Sequence, residues 1–419
     1  MTRRGAALYI TVLSVALIVT TLGLAGLQLL TTKRQQTRTA GDLIKARSNA
    51  HSAVELALRV LANDPNWRTN YSSGVESTKF AVGSTSEGTV SWILEDSDGS
   101  LTDSDTSLRL KGVGRVGNVV QVMSVQVTTT GNALTCLEVA VCSNGLVTLN
   151  SNSTITTNQK LHTNNSVASS GTVNSDVDSV SPISGTGYNG TNTVPAPARS
   201  VPGTSVFDYY IANGTVIPYS SLSNAPQARQ INQVVLSPSS NPYGTGTNPQ
   251  GIYVIDCGGS NIRIQESRIV GTLVILNSGS GSEVLNAVNW EPAVANYPAL
   301  LVQGNFLIRH GAAALSESTG AGRNYNPTGT PYAGVEDSDQ TDTYPSVIKG
   351  IVYISAIAGV EQTPTLQGVL IAGNTLTIAS SFTLNMTYDA QFLSNPPPGF
   401  KEGNTLVVTP KTWRQDVAP

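Results

Sequence analysis

Five carboxylates, Glu95, Asp96, Asp98, Asp103 and Asp105, fall within eleven residues around Gly99. Hard cations take about 6–8 oxygen ligands, and a carboxylate loop can supply several of them. Asp96, Asp98, Asp103 and Asp105 are therefore the candidate calcium ligands. Their D-x-D-G spacing departs from an EF-hand, where glycine is sixth, so a solvated turn is the competing reading. Cys136 and Cys142 flank one short β-run; they pair as a disulfide in an oxidising compartment or are simply buried. Cys257, in Val254-Ile-Asp-Cys257-Gly258, reads as a core thiol. The three histidines, His51, His162 and His310, are isolated, and the spacing of His162 and His310 favours surface or turn positions over catalysis. No Cys or His pair has zinc-ligand spacing.

Gly112-Val-Gly114-Arg-Val-Gly117 matches G-x-G-x-x-G. A dinucleotide site needs a helix N-terminus after that loop. The residues that follow, Asn118-Val119-Val120-Gln121-Val122, are β-branched and strand-like, so a β-turn at Gly117-Asn118 is the better reading. The second match, Gly185 to Gly190, lies in a Ser/Thr/Pro-rich stretch. There is no G-x-S-x-G, H-E-x-x-H or P-loop. Asp256 and Arg263 could sit in a polysaccharide-cleaving groove, but no spacing ties them together. The expectation is a protein without enzymatic activity, and the alternative is a membrane-anchored polysaccharide-active enzyme. Across 419 residues the charged fraction is 12% and the net charge −3, which leaves no electrostatic footprint for nucleic acid.

The elements that must carry these residues begin with a helix. Residues 6–30 contain no charge and are flanked by Arg3 and Arg4 on one side and Lys33, Arg34 and Arg38 on the other. As a helix this run is about 37 Å long, enough to cross a hydrocarbon core of about 30 Å. A cleaved signal peptide would have a shorter core, with Gly23–Ala25 as the conceivable cleavage site; an uncleaved plain anchor is the other alternative. Beyond Asp42, Leu43, Ala46, Ala50, Val54, Ala57 and Leu61 recur every three to four residues, until Asn63-Asp64-Pro65 ends the pattern. Residues 6–65 thus read as one helix, first apolar all round and then apolar on the single face that needs a partner sheet. Gly23, Gly26 and Gly41 are its weak points.

The basic leader Arg3-Arg4-Gly5, the run Ala6-Ala-Leu-Tyr-Ile-Thr-Val-Leu13 and the amphipathic extension resemble type IV pilins and type II secretion pseudopilins. They are most similar to minor members with a PilX-like or K-type N-terminus. That resemblance implies a class III leader at 1–5, cleavage after Gly5 by a prepilin peptidase, and Ala6 as an N-methylated first residue. It also implies insertion in the inner membrane and association with other pilins or pseudopilins through the helix. Major pilins carry Glu at the fifth mature position, where this chain has Ile10, which points away from a repeating subunit and toward a tip or priming role.

Residues 66–130 read as a small antiparallel module, with alternating strands at 79–82, 89–94, 107–113 and 119–127. From 131 to 400, apolar-x-Gly precedes a short strand at Gly271, Gly350 and Gly368. Ala299 to Asn305 matches Gly368 to Asn374, 69 residues on, the offset of three rungs of 23. Short strands with Gly and Asn corners suggest an irregular parallel β-helix, with surface excursions at 180–250 and 315–346. Residues 401–419 read as an extended tail whose Trp413 covers the last rung. The expected fold class is mostly β with one long N-terminal α-helix: a pilin-like helix and small antiparallel sheet, then a parallel β-helix. The expected function is a minor pilin or pseudopilin-like component, periplasmic or displayed on the cell surface in a fibre, with a polar solenoid surface suited to carbohydrate or protein.

Overall fold

A computed structural model describes residues 3–416 except 65, 84–86, 97–98, 100, 102–106 and 319–321; at 3–9, 107, 129–130 and 403–405 it describes backbone alone. Residues 1–131 and 403–419 form one compact unit, and residues 132–402 form another. The second unit is thus inserted in the chain between the parts of the first.

In the first unit, α1 (Arg3–Ala62) is continuous through Gly23, Gly26 and Gly41, because the strong helix formers around them outweigh a cost of about 1 kcal/mol per glycine. Its last third buries Ala46, Ala50, Ala53, Val54, Ala57 and Leu61, the i, i+3/i+4 stripe expected of a helix with one covered face. The cover is an antiparallel sheet of β1 (Phe80–Ala81), β2 (Thr89–Glu95), β3 (Ser107–Val116) and β4 (Val119–Ala133). Trp67, Trp92, Leu94, Leu108, Leu110, Val125 and Val127 complete the core, each large apolar side chain contributing about 1.5–3 kcal/mol on burial. β3 and β4 join through Gly117 (φ +54°) and Asn118, with Val116 opposite Val119, so the turn is the one expected.

The C-terminal segment is not an extended tail. Strand Lys401–Val408 is the neighbour of β4, and strand Arg414–Asp416 also pairs with β4, antiparallel, with Arg414 opposite Ser124. Trp413 belongs to the first unit instead of the solenoid, and its ring stacks on His51 of α1 with centroids 4.0 Å apart. The triple-proline stretch ahead of these strands masks a short apolar run, Leu406-Val407-Val408, that is long enough to pair.

The second unit is one 24-stranded sheet wound into a parallel solenoid. Its strands stack in three ladders, one per face. The first runs 215–216, 252–256, 272–278, 300–304, 352–354, 370–372, 141–143, 161–163, 177–179 and 192–193. The second passes from 229–232 through 262–265, 283–286, 306–310, 358–360, 376–378, 147–149 and 167–169 to 183–185. The third passes from 235–236 through 268–270, 288–291, 347–348, 365–368, 383–388 and 154–157 to 172–174.

The chain therefore enters mid-stack. It winds to one end at 192–193, crosses to the other end through 194–214, and winds back until 370–388 meets 141–157. The expected surface excursion at 180–250 is instead two things: the crossing segment, and rungs at both ends of the stack. Val206, Phe207 and Tyr210 of the crossing pack on Ile252, Val254, Val274 and Leu301, which makes the first face apolar on both sides, as buried parallel strands are. The match between Gly304-Asn305 and Gly373-Asn374 is a real corner, but two rungs apart rather than three: Asn374 N–H donates to the Ala356 carbonyl, and Ala356 N–H to that of Gly304. Residues 311–346 loop out between them, and these do form an excursion with a two-stranded sheet of their own. At the apolar-x-Gly corner, Gly368 (φ +139°) stacks on Gly350, where a Cβ would lie 2.2 Å from the Gly350 carbonyl oxygen.

Candidate functional site

Two surfaces stand out, one in each unit. Every residue of α1 from Ile10 to Gly41 is exposed. Leu17, Leu22 and Leu29 are 64–67% exposed, and the other large apolar side chains of the run are 55–63% exposed around the whole circumference. The hydroxyls in this stretch turn inward on the helix: Ser14 Oγ donates to the Ile10 carbonyl (2.8 Å), Thr21 Oγ1 to Ile18 (2.9 Å), Thr20 to Ala16, and Thr31 and Thr32 to Gln28. These hydroxyls spend their protons on the helix backbone, and the uncharged run at 10–30 suits a hydrocarbon medium or a bundle of like helices. Gly5 and Ala6 lie within the backbone of this helix.

The solenoid's third face carries the other surface. Ile155, Val173, Leu366 and Leu384 point into the core, so the alternate residues face out. Opposite one another across the rungs stand Thr383, Thr154 and Thr172, then Thr365, Asn385, Thr156 and Asn174, then Gln367 and Thr387. Asn174 Nδ2 donates to Thr156 Oγ1 (3.1 Å), and Asn189 Nδ2 to Asn174 Oδ1 (2.7 Å). No residue of this array is charged. Donors and acceptors repeat at about 4.8 Å across rungs and about 6.6 Å along strands, a regular and uncharged hydrogen-bonding array. The other end of the face is covered by the 311–346 excursion, which Arg268 pins. Its buried guanidinium donates to the carbonyls of Tyr325 and Thr330 (both 2.8 Å) and Pro331 (2.5 Å).

The residues singled out in the sequence distribute as follows. Asp98, Asp103 and Asp105 lie outside the described residues; Asp96 is buried at the end of β2, its N–H donating to Ser73 Oγ (2.9 Å). Cys136 and Cys142 are buried free thiols of one apolar cluster. Burial, and then the neighbouring Cys142, push the Cys136 thiol well up. Cys257 is a core thiol, pushed up to about 12 by burial.

His162 and His310 are not surface or turn residues: both are fully buried. Burial holds both below the usual imidazole range, His310 at about 4. Asp256 accepts from Asn277 Nδ2 and the Gly258 N–H, both at 2.9 Å, and these bonds hold its carboxyl below the usual range. Arg263 belongs to a separate cross-rung ion ladder, Arg263–Glu283–Arg309–Glu361, with contacts of 2.6–2.9 Å. Among the described residues no three His, Cys, Asp or Glu side chains gather as a metal-binding group.

The helix laid on a small antiparallel sheet is the arrangement that the pilin resemblance implies, and the solenoid is a large second unit inserted before that sheet is complete. No family model and no curated protein matches the chain. Among solved structures it is similar to the competence-associated pilin ComZ from Thermus thermophilus, at 10% identity over 90% of this chain and 98% of that one, with a TM-score of 0.36. It is also similar to an ice-binding protein from the Antarctic ascomycete Antarctomyces psychrotrophicus (11% identity, 61% and 98% coverage, TM-score 0.26). A third is an ice-binding domain from Shewanella frigidimarina (12%, 62% and 98%, TM-score 0.25).

Proposed function

We propose that this protein is a minor pilin or pseudopilin-like structural subunit. A prepilin peptidase cuts after Gly5, Ala6 becomes the methylated first residue, and the apolar half of α1 holds the chain in the inner membrane before packing with the helices of other pilins. The solenoid is displayed on the periplasmic side or at the cell surface. Its uncharged Thr/Asn face binds a neutral partner, carbohydrate before protein, and the protein turns nothing over.

The observation that carries this reading is the exposed apolar span of α1, continuous with a second half already seated on its own sheet. A helix that is apolar all round needs an apolar environment along its whole length. The absence of a carboxylate at Ile10 suits a subunit at a fibre tip, since no neighbouring amine is neutralised there.

Shearing cells that assemble fibres tests the role. Cofractionation of this chain with the sheared fibres, in amounts far below the major subunit, is expected. Retention in the membrane whatever the assembly state would instead favour a plain anchored solenoid.

A further inference from the structure

The 311–346 excursion has a small core of Leu315, Tyr325 and Tyr344 and carries Glu317, Glu336, Asp337, Asp339 and Asp342. Among the described residues no Lys or Arg forms an ion pair with any of these carboxylates. Asn326 sits between two of them and is only 1% exposed. Its Nδ2 donates to Asp337 Oδ2 (3.1 Å) and to Asp342 Oδ2 (3.2 Å), while its buried Oδ1 receives no hydrogen bond.

A buried amide oxygen left without a donor costs about 1–3 kcal/mol. Turning the amide over gives no relief in the absence of a cation, because Oδ1 would then face two carboxylates. With a cation between them the same turn brings three oxygens of mixed type around one point, which is what a hard divalent ion takes. We propose that Asp337, Asp342 and the Asn326 amide oxygen form a site for a hard divalent cation that fastens the base of the excursion.

The neighbours fit supporting positions rather than ligand positions. Both oxygens of Glu317 are already engaged: Oε1 accepts from Tyr325 N–H (2.5 Å) and Tyr344 Oη (2.8 Å), and Oε2 from Asp342 N–H (3.1 Å). It adds negative field from 0% exposure. Asp339 Oδ1 is taken by the N–H (2.9 Å) and hydroxyl (2.8 Å) of Thr341. Asn324 ties the loop together, donating to the Asp337 carbonyl (2.7 Å) and accepting from Asn326 N–H (2.8 Å).

The test is titration calorimetry on the full chain in detergent, stripped with EDTA, with CaCl2 and MgCl2 in separate arms. One cation should bind in at least one arm, with Kd of about 10⁻⁵–10⁻³ M; the arms say which ion is preferred. Asp337→Asn with Asp342→Asn should weaken binding at least tenfold. Asp208→Asn, an exposed carboxylate away from the excursion, should leave it unchanged. Asn326→Asp supplies a third carboxylate: it should tighten binding several-fold and lower the melting temperature in EDTA. Circular dichroism checks that each variant keeps its sheet. Absence of binding in both arms, binding retained by the double variant, or weaker binding by folded Asn326→Asp overturns the proposal. If the double variant fails to fold, Asn326→Asp decides alone.

Discussion

A methyl group at Gly114 would lie 2.1 Å from the Ala46 carbonyl oxygen and 2.5 Å from the Ala50 amide; at Gly112 it would lie 2.1 Å from the Ala50 carbonyl oxygen. These two glycines of the G-x-G-x-x-G match hold no nucleotide. They let the α1 backbone press against β3, facing the alanines of the helix. Gly114→Ala should therefore destabilise the first unit by about 1–3 kcal/mol, read as faster hydrogen exchange at residues 46–57. Gly23→Ala, with nothing within 4 Å, should leave that exchange unchanged. The Gly117-Asn118 turn was legible in the sequence because turn chemistry is local. The seating role was not, since it appears only when Gly112 and Gly114 are aligned with Ala46 and Ala50 sixty-odd residues earlier.

His310 gives a second prediction at this scale. It is enclosed, with Ser346 Oγ 3.2 Å from Nδ1, and burial lowers its pKa from the ordinary 6.5 to about 4. The unfolded chain then binds the proton more readily than the folded one between those values. Stability is full above pH 6.5, falls as pH drops toward 4, and changes no further from this group below that. The loss is of order 3 kcal/mol at about 1.4 kcal/mol per pKa unit. Melting the full chain across pH 7 to 4 should show this fall, and His310→Gln should flatten it.

At the scale of elements, α1 is two helices in one: residues 10–41 are exposed throughout, and residues from Ala46 onward meet their own sheet. Leu17→Arg should weaken membrane retention, at a cost of about 2.5–3.5 kcal/mol for a central arginine, while leaving the sheet unit folded. Flotation of membranes with the chain, beside hydrogen exchange at residues 46–57, separates the two effects. This helix was legible from composition and period alone. The strands after Pro396-Pro-Pro were not, because Leu406-Val407-Val408 is too short a run to signal pairing without β4 beside it. His162 misled for a related reason: a lone histidine in a Thr/Asn-rich stretch looks solvated until the rungs enclose it.

At the scale of the molecule, the solenoid is stacked out of chain order. Leu370, Ile371 and Ala372 pair with Val141, Cys142 and Ser143, and Ser143 Oγ donates to the Asn374 carbonyl (2.7 Å) across 231 residues. The corner repeats made a parallel solenoid readable in the sequence; nothing local encodes which rung meets which, so the seam and the crossing segment could not be read. The account expects 141–157 and 365–388 to be protected from hydrogen exchange to the same extent. Ile371→Asp, a charge placed in the apolar cluster beside Cys142, should lower protection in both segments together, by several kcal/mol. Loss on one side alone would mean the halves fold independently.

The central claim, that the exposed helix belongs to a pilin-like subunit, is tested most directly by the N-terminal mass of the chain made with and without a prepilin peptidase. The account predicts a peptidase-dependent start at Ala6, heavier by one methyl group. A chain starting at Met1 in both cells, or one newly starting after Ala25, would contradict it.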